Sequence, residues 1–71
     1  MKYRDAARKL KSLGCEVVPR RGSGSHRVWH NPANGRLATL PDWGSKDLKN
    51  GTIPGAAKQL GLDWDDFQNA L

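Results

Sequence analysis

Apolar residues recur at helical spacing in the first stretch of the chain. In residues 3–13, YRDAARKLKSL, they fall at Tyr3, Ala6, Ala7, Leu10 and Leu13, the rhythm of one buried face of an amphipathic helix. Gly14 comes next and predicts the stop, because the residue just past a helix often takes a left-handed conformation that costs glycine little. Arg4, Arg8 and Lys11 then share an outward stripe, with Lys9 beside it. Such a stripe is ordinarily the wet side of a helix, though it can touch phosphates.

The pattern changes after Gly14. Residues 15–21, CEVVPRR, are rich in strand formers but contain Pro19, which lacks a ladder donor and belongs at a sheet edge or strand end. Residues 22–25, GSGS, read as a flexible loop. HRVWH at 26–30 predicts a second strand and RLATLP at 36–41 a third. Between them NPANG supplies Asn34-Gly35, a strong hairpin signal. The three segments predict an antiparallel meander. Adjacent apolar pairs, Val17/Val18 and Val28/Trp29, leave open which residues face inward.

Residues 42–51, DWGSKDLKNG, predict a long loop. Thr52 is placed to cap the helix IPGAAKQL, whose first turn tolerates Pro54. Ile53, Ala56, Ala57 and Leu60 make its inward stripe, and Gly61 stops it. Asp63 then caps WDDFQNAL, where Asp65 and Asp66 suit the positive end of the helix dipole. Trp64, Phe67 and Leu71 are expected to pack inward. The order is α-β-β-β-α with a short final helix appended, and the whole of 1–71 is expected to be one domain.

Composition narrows the setting. A 71-residue chain with 37% hydrophobic residues can bury only a small core, enough for one layer of helices on a small sheet. The single cysteine, Cys15, has no partner for an internal disulfide, which predicts a reducing cytoplasm. No apolar run reaches the length of an export signal or a membrane span, so no membrane association is expected.

The net charge of +5 is uneven. Residues 1–40 hold nine Lys and Arg against Asp5 and Glu16, a balance of +7, whereas residues 41–71 hold three Lys against five Asp, a balance of −2. A basic half attracts phosphate backbones through counterion release, although basic surfaces are also common for solubility alone.

Within the basic half, RRGSGSHRVWH (20–30) sets His26 behind a Gly/Ser loop and among Arg20, Arg21 and Arg27. Histidine suits proton transfer near neutral pH. The planar fork of arginine suits phosphate. A Gly/Ser loop, here including Gly24 and Ser25, lets backbone N–H groups approach an anion. The plainer reading makes His26 an ordinary strand residue beside a turn. His30 is four residues on, about 13 Å along a strand, too far to share one phosphate with His26.

That spacing also argues against a metal: Cys15, His26 and His30 are too few and too spread for zinc. No paired carboxylates sit in the basic half to hold magnesium. No cofactor is expected. Ser25 and His26 alternate across a strand, so no Ser-His-Asp arrangement is visible. Cys15 reads as a small core residue. Trp29 packs either on the helices or on the open face. Trp43, in a Gly-flanked loop, can stack on an unpaired base or anchor a partner protein.

The order α-β-β-β-α is that of the double-stranded-RNA-binding-domain fold. Within it, GSHRVW (24–29), NPANGRLATLP (31–41), KDLKNGT (46–52) and AKQLGLDWDDF (57–67) resemble the HicA toxins, small endoribonucleases of type II toxin–antitoxin systems called mRNA interferases. The resemblance covers almost the whole chain. It implies an α+β fold with a three-stranded antiparallel sheet and helices on one face. It also implies mRNA as substrate, a HicB-type antitoxin as partner, and a catalytic histidine after the Gly-Ser pair, which here is His26. Members often carry another histidine shortly after the third strand's proline. Here Pro41-Asp42-Trp43 has tryptophan at that point, which leaves His26 as the main candidate.

Three functions follow for comparison. The first is a metal-independent endoribonuclease toxin using His26, with Arg20, Arg21, Arg27, Ser25, Gly24 and Trp43 contacting RNA. The second is a non-catalytic RNA-binding module of the same fold. The third, a DNA-binding regulator, is the weakest, because no helix-turn-helix spacing appears and the basic stripe lies on the first helix.

Overall fold

The computed structural model describes residues 1–19 and 24–71. Its elements run α1 (Tyr3–Ser12), β1 (Glu16–Val17), β2 (His26–Asn31), β3 (Arg36–Pro41), α2 (Thr52–Gln59) and α3 (Trp64–Asn69). The strands form one antiparallel sheet in the order β1-β2-β3. This is the α+β arrangement that the sequence predicts.

α1 ends as its sequence dictates. Gly14 takes φ +92°. Its N–H donates to the Lys11 carbonyl at 3.0 Å, and the Cys15 N–H donates to the Leu10 carbonyl at 2.9 Å. Those two bonds are a Schellman motif, which satisfies carbonyls the helix itself cannot. α2 repeats the motif at its own end: Gly61, with φ +73°, donates to Lys58, and Leu62 donates to Ala57 at 2.9 Å.

Strand alternation sorts the sheet into two faces. Trp29, Ala38 and Leu40 point into a core shared with Ala6, Leu10, Cys15, Ile53, Ala56, Leu60 and Phe67. All three helices therefore cover that one face. The two-way choice at Val28/Trp29 resolves with Trp29 inward, almost fully buried, and the Val28 side chain on the opposite face, also buried; within the sheet plane the Val28 carbonyl accepts from the Val18 N–H at 2.8 Å. Cys15 is buried in the core as expected.

The hairpin differs in detail from a two-residue turn. Asn31 pairs with Arg36, so Pro32 to Gly35 all lie in the connection. Gly35 takes φ +74° and its N–H donates to the Asn31 carbonyl at 2.8 Å.

Three expectations are corrected. Thr52 does not cap α2; it is the first helical residue, and Gly51 at φ +87° stands before it with no side-chain cap. Trp64 is not core: it is 38% exposed, stacked on Phe67 with ring centroids 5.3 Å apart. Leu71 is 91% exposed. The reason is that α3 has only six residues, and its one buried position is taken by Phe67. Ala70 is already extended (φ −69°, ψ 149°), so helical spacing no longer governs Leu71. The capping of α3 does follow the sequence, with Asp63 Oδ1 accepting from the Asp66 N–H at 3.1 Å.

The stretch 42–51 is more tied down than a plain loop. Leu48 is buried, its N–H donates to the Met1 carbonyl at 3.0 Å, and Lys2 bridges to Asp47.

Candidate functional site

His26 opens β2 and faces away from the helices. Alternation puts His26, Val28 and His30 on that open face, with Leu37 and Thr39 of β3 paired across from His30 and Val28. The His26 side chain is exposed and its cross-strand partner is Pro41. His30 shares the face but is engaged elsewhere: its Nδ1 lies 3.3 Å from Glu16 Oε1 and ties β2 to β1.

Gly24 and Ser25 form the turn that leads into His26. Gly24 takes φ +59°, and the Ser25 carbonyl accepts from the Asp42 N–H at 2.6 Å. That bond continues the β2–β3 ladder one step beyond the His26–Pro41 pair and fixes where the strand begins. Arg20 and Arg21 lie outside the described residues.

Arg27 lies on the helix-facing side of β2, opposite His26 and across from Leu40. Its Nη1 donates to the Gly24 carbonyl at 2.9 Å and to the His26 carbonyl at 3.2 Å. Its Nη2 lies 3.9 Å from Asp42 Oδ2. The sequence offered Arg27 as a phosphate contact; the structure shows part of its guanidinium engaged with the turn itself.

Asp42 and Tyr3 are the residues that sequence reasoning missed. Asp42 Oδ1 accepts from the Gly44 N–H at 3.1 Å, which shapes the loop carrying Trp43. Tyr3, from the first turn of α1, sits against Trp29 with centroids 6.5 Å apart. Burial pushes its hydroxyl above the usual value; the Trp29 indole N–H opposes this, Asp42 adds to it and Arg27 opposes it. The indole nitrogen is buried and reaches no partner within hydrogen-bonding geometry among the described residues, so its influence on Tyr3 is one of proximity. An aspartate immediately after a strand-ending proline is a signal that could have pointed to Asp42, because aspartate bonds readily to N–H groups two residues on.

Trp43 is exposed. With Asp42 and Lys46 it lines an open hollow of about 420 Å³, two residues beyond the partner of His26. Lys9 belongs to none of this. Its Nζ donates to the carbonyls of Gln68 and Ala70, each at 2.8 Å, and so closes the C-terminal end of α3. Arg4, Arg8 and Lys11 are exposed on α1, with Arg8 3.9 Å from Asp5. Cys15 is a buried thiol whose pKa burial raises, the reverse of what a nucleophile requires. Among the described residues no three His, Cys, Asp or Glu side chains gather in a way that could hold a metal ion. Nor is any helix there long and apolar enough to cross a membrane.

A three-stranded antiparallel sheet backed by helices on one face, with an exposed histidine at a strand start, defines the class: a small α+β domain. Comparison with known proteins makes this specific. The family described as the HicA toxin of bacterial toxin–antitoxin systems matches residues 3–62. A relative from Pseudomonas fluorescens (strain Pf0-1), named a probable mRNA interferase HicA, is 39% identical over 62 residues, covering 87% of this chain and 97% of its own. No solved structure gives a significant match. The chain belongs to the HicA toxin family.

Proposed function

We propose that this toxin is an endoribonuclease that cleaves mRNA without a metal ion, with His26 as general acid/base, and that a HicB-type antitoxin neutralises it. One observation carries the reading. The exposed imidazole that ends the Gly-Ser turn stands in a HicA chain whose relative is named a probable mRNA interferase.

RNA contains its own nucleophile. The 2′-OH attacks the adjacent phosphorus, the P–O5′ bond breaks, and the 5′-oxygen leaves with a proton. His26 serves that proton traffic, since imidazole exchanges protons near neutral pH. Arg20 and Arg21 supply charge to the crowded phosphate. Arg27 adds its charge from the other side of the strand, and the Gly24–Ser25 turn offers backbone N–H groups to an anion. Trp43 offers a flat face to an unpaired base. The reaction belongs in the cytoplasm, where mRNA is found.

The antitoxin reading rests on charge and size. The +7 balance of residues 1–40 favours an acidic or RNA-like partner surface, steered to residues 20–30. Binding that surface would cover His26 and stabilise a small domain.

The test is cleavage of a single-stranded RNA by the purified chain in EDTA. Fragments ending in 2′,3′-cyclic or 3′-phosphate with 5′-OH partners are expected, DNA is left intact for want of the nucleophile, and His26→Ala stops cleavage. Loss of activity in EDTA, restored by magnesium, would reject the metal-independent route. The presence of Trp43 where many family members carry a histidine favours a second reading, an RNA-binding module without catalysis. RNA that is bound and never cut would establish it.

A further inference from the structure

We propose that Arg27 and Asp42 act together as a clamp that positions His26 for catalysis. The inference rests on the proposed role of His26. It assigns to these two residues a task that neither exposure nor charge alone would suggest.

Among the described residues, three consecutive carbonyls around the turn accept from these two residues. The Gly24 and His26 carbonyls accept from Arg27 Nη1, at 2.9 and 3.2 Å. The Ser25 carbonyl between them accepts from the Asp42 N–H at 2.6 Å. Asp42 Oδ2 lies 3.9 Å from Arg27 Nη2, so the carboxylate steadies the guanidinium that grips the turn. The loop side of the clamp is fixed too, because Asp42 Oδ1 accepts from the Gly44 N–H.

Direction matters as much as distance. Arg27 reaches these carbonyls from the helix-facing side, while the His26 imidazole leaves on the open face. The guanidinium thus holds the backbone that aims the imidazole without occupying the ground where substrate would lie. Gly24 at φ +59° has no side chain to resist other turn conformations, so the turn needs an external hold.

A half-exposed ion pair at this separation adds little to stability. Misplacing a proton-transfer group by about an ångström, in contrast, can cost on the order of a hundredfold in rate. The clamp should therefore be read in turnover and hardly in melting.

The experiment uses the full chain with a labelled single-stranded RNA and compares wild type, Arg27→Met, Arg27→Lys, Asp42→Asn, the Arg27→Met/Asp42→Asn double variant and His26→Ala. Arg27→Met should lower kcat roughly ten- to a hundredfold; Asp42→Asn, which keeps the backbone N–H to Ser25 and an Oδ1 acceptor for Gly44 and loses only the carboxylate charge beside Arg27, should lower it less, each with KM changed less than about twofold. The double variant should be no slower than the slower single one, because the two residues act as a unit. Arg27→Lys should recover part of the loss, since an ammonium can still donate to one carbonyl. Independently of activity, the backbone amide resonances of Gly24 to His26 should shift and broaden in Arg27→Met. Wild-type kcat in both single variants, with His26→Ala inactive, would overturn the clamp and leave the role of His26 standing. A loss confined to KM would overturn it in favour of a phosphate contact by Arg27. Full activity of His26→Ala would overturn both the clamp and the reading it rests on.

Discussion

Asn31 Nδ2 donates a 2.8 Å hydrogen bond to the carbonyl of Leu60, and this bond joins the hairpin to the end of α2. Asn31 is the one buried polar residue among those described. Its Oδ1 also accepts from the Ala33 N–H at 3.1 Å, so both ends of the amide are used. Asn31 thereby ties the end of β2 to the end of α2, alongside Asn34 in the same hairpin.

Replacing Asn31 by alanine is expected to destabilise the domain by about 1–3 kcal/mol, the usual result of leaving buried partners unpaired. Leu60 retains a second donor, Asn34 Nδ2 at 2.9 Å, which keeps the cost toward the lower end. In a domain this small, each kcal/mol corresponds to roughly 4–8 °C in melting temperature. Urea and thermal unfolding measure it; an unchanged midpoint would show that water replaces the amide at no cost.

Gly61 and Gly14 provide a controlled pair. Both end helices at positive φ, +73° and +92°, so an alanine at either meets the same left-handed penalty of about 1–2 kcal/mol. They differ in space. A Cβ on Gly61 would lie 2.5 Å from Asn34 Nδ2, whereas one on Gly14 meets nothing within 4 Å. Asn34 would have to move and give up its bond to Leu60. Gly61→Ala should therefore cost about 1 kcal/mol more than Gly14→Ala, read from paired urea denaturation curves. Equal costs would mean that Asn34 yields freely.

Much of this frame was legible in the sequence, for identifiable reasons. The α1 stripe and Gly14 carry helix periodicity and a stop, and both are local signals. The hairpin was marked by Asn34-Gly35, though the pairing of Asn31 with Arg36 depends on the side-chain bonds of Asn31 and Asn34, which reach across to α2. Leu48 looks like a loop residue because what ties it down, the Met1 carbonyl and the bridge of Lys2 to Asp47, is distant in sequence. Leu71 is misplaced by helical spacing carried past Asn69, where α3 ends, and Trp64 because the one buried position of this six-residue helix is taken by Phe67. At the site, the position of His26 followed from the strand start, but the engagement of Arg27 with the turn did not. A cluster of arginines near a histidine looks alike in sequence whether its members face the ligand or the backbone, and only strand alternation separates Arg27 from the open face.

Cys15 and Tyr3 make stability fall in the alkaline range. Burial raises the Cys15 thiol above its ordinary 9.0, and burial is also the main reason the Tyr3 hydroxyl lies above its ordinary 10.0. Between the ordinary and the raised value, the unfolded chain has released its proton and the folded chain has kept it. Raising the pH then favours unfolding. The contribution of these groups is complete below pH 9 and declines above it, with Cys15 acting first. The urea midpoint measured from pH 8 upward should fall, and Cys15→Ala should flatten the earliest part of that fall. Identical pH profiles for the two proteins would show that Cys15 titrates in the folded state as it does in the unfolded one.

The tryptophans separate RNA contact from packing. Trp29 is buried against Tyr3, Trp64 lies stacked on Phe67, and Trp43 stands exposed beside Asp42 and Lys46 at the edge that carries His26. Stacking of one base on an aromatic ring is worth about 1–3 kcal/mol. Trp43→Ala should therefore weaken binding of a single-stranded RNA roughly five- to a hundredfold, with little change in melting temperature, because the side chain fills no core. Trp64→Ala should leave RNA affinity unchanged. Binding can be followed by quenching of tryptophan fluorescence, and most of the quenching should vanish with Trp43. If Trp43→Ala keeps its RNA affinity but loses affinity for the antitoxin, the ring serves the protein partner, and base stacking must be sought elsewhere on the open face. Loss of both affinities would instead mean that antitoxin and RNA compete for the same tryptophan, the arrangement expected if occlusion of this edge is how the toxin is silenced.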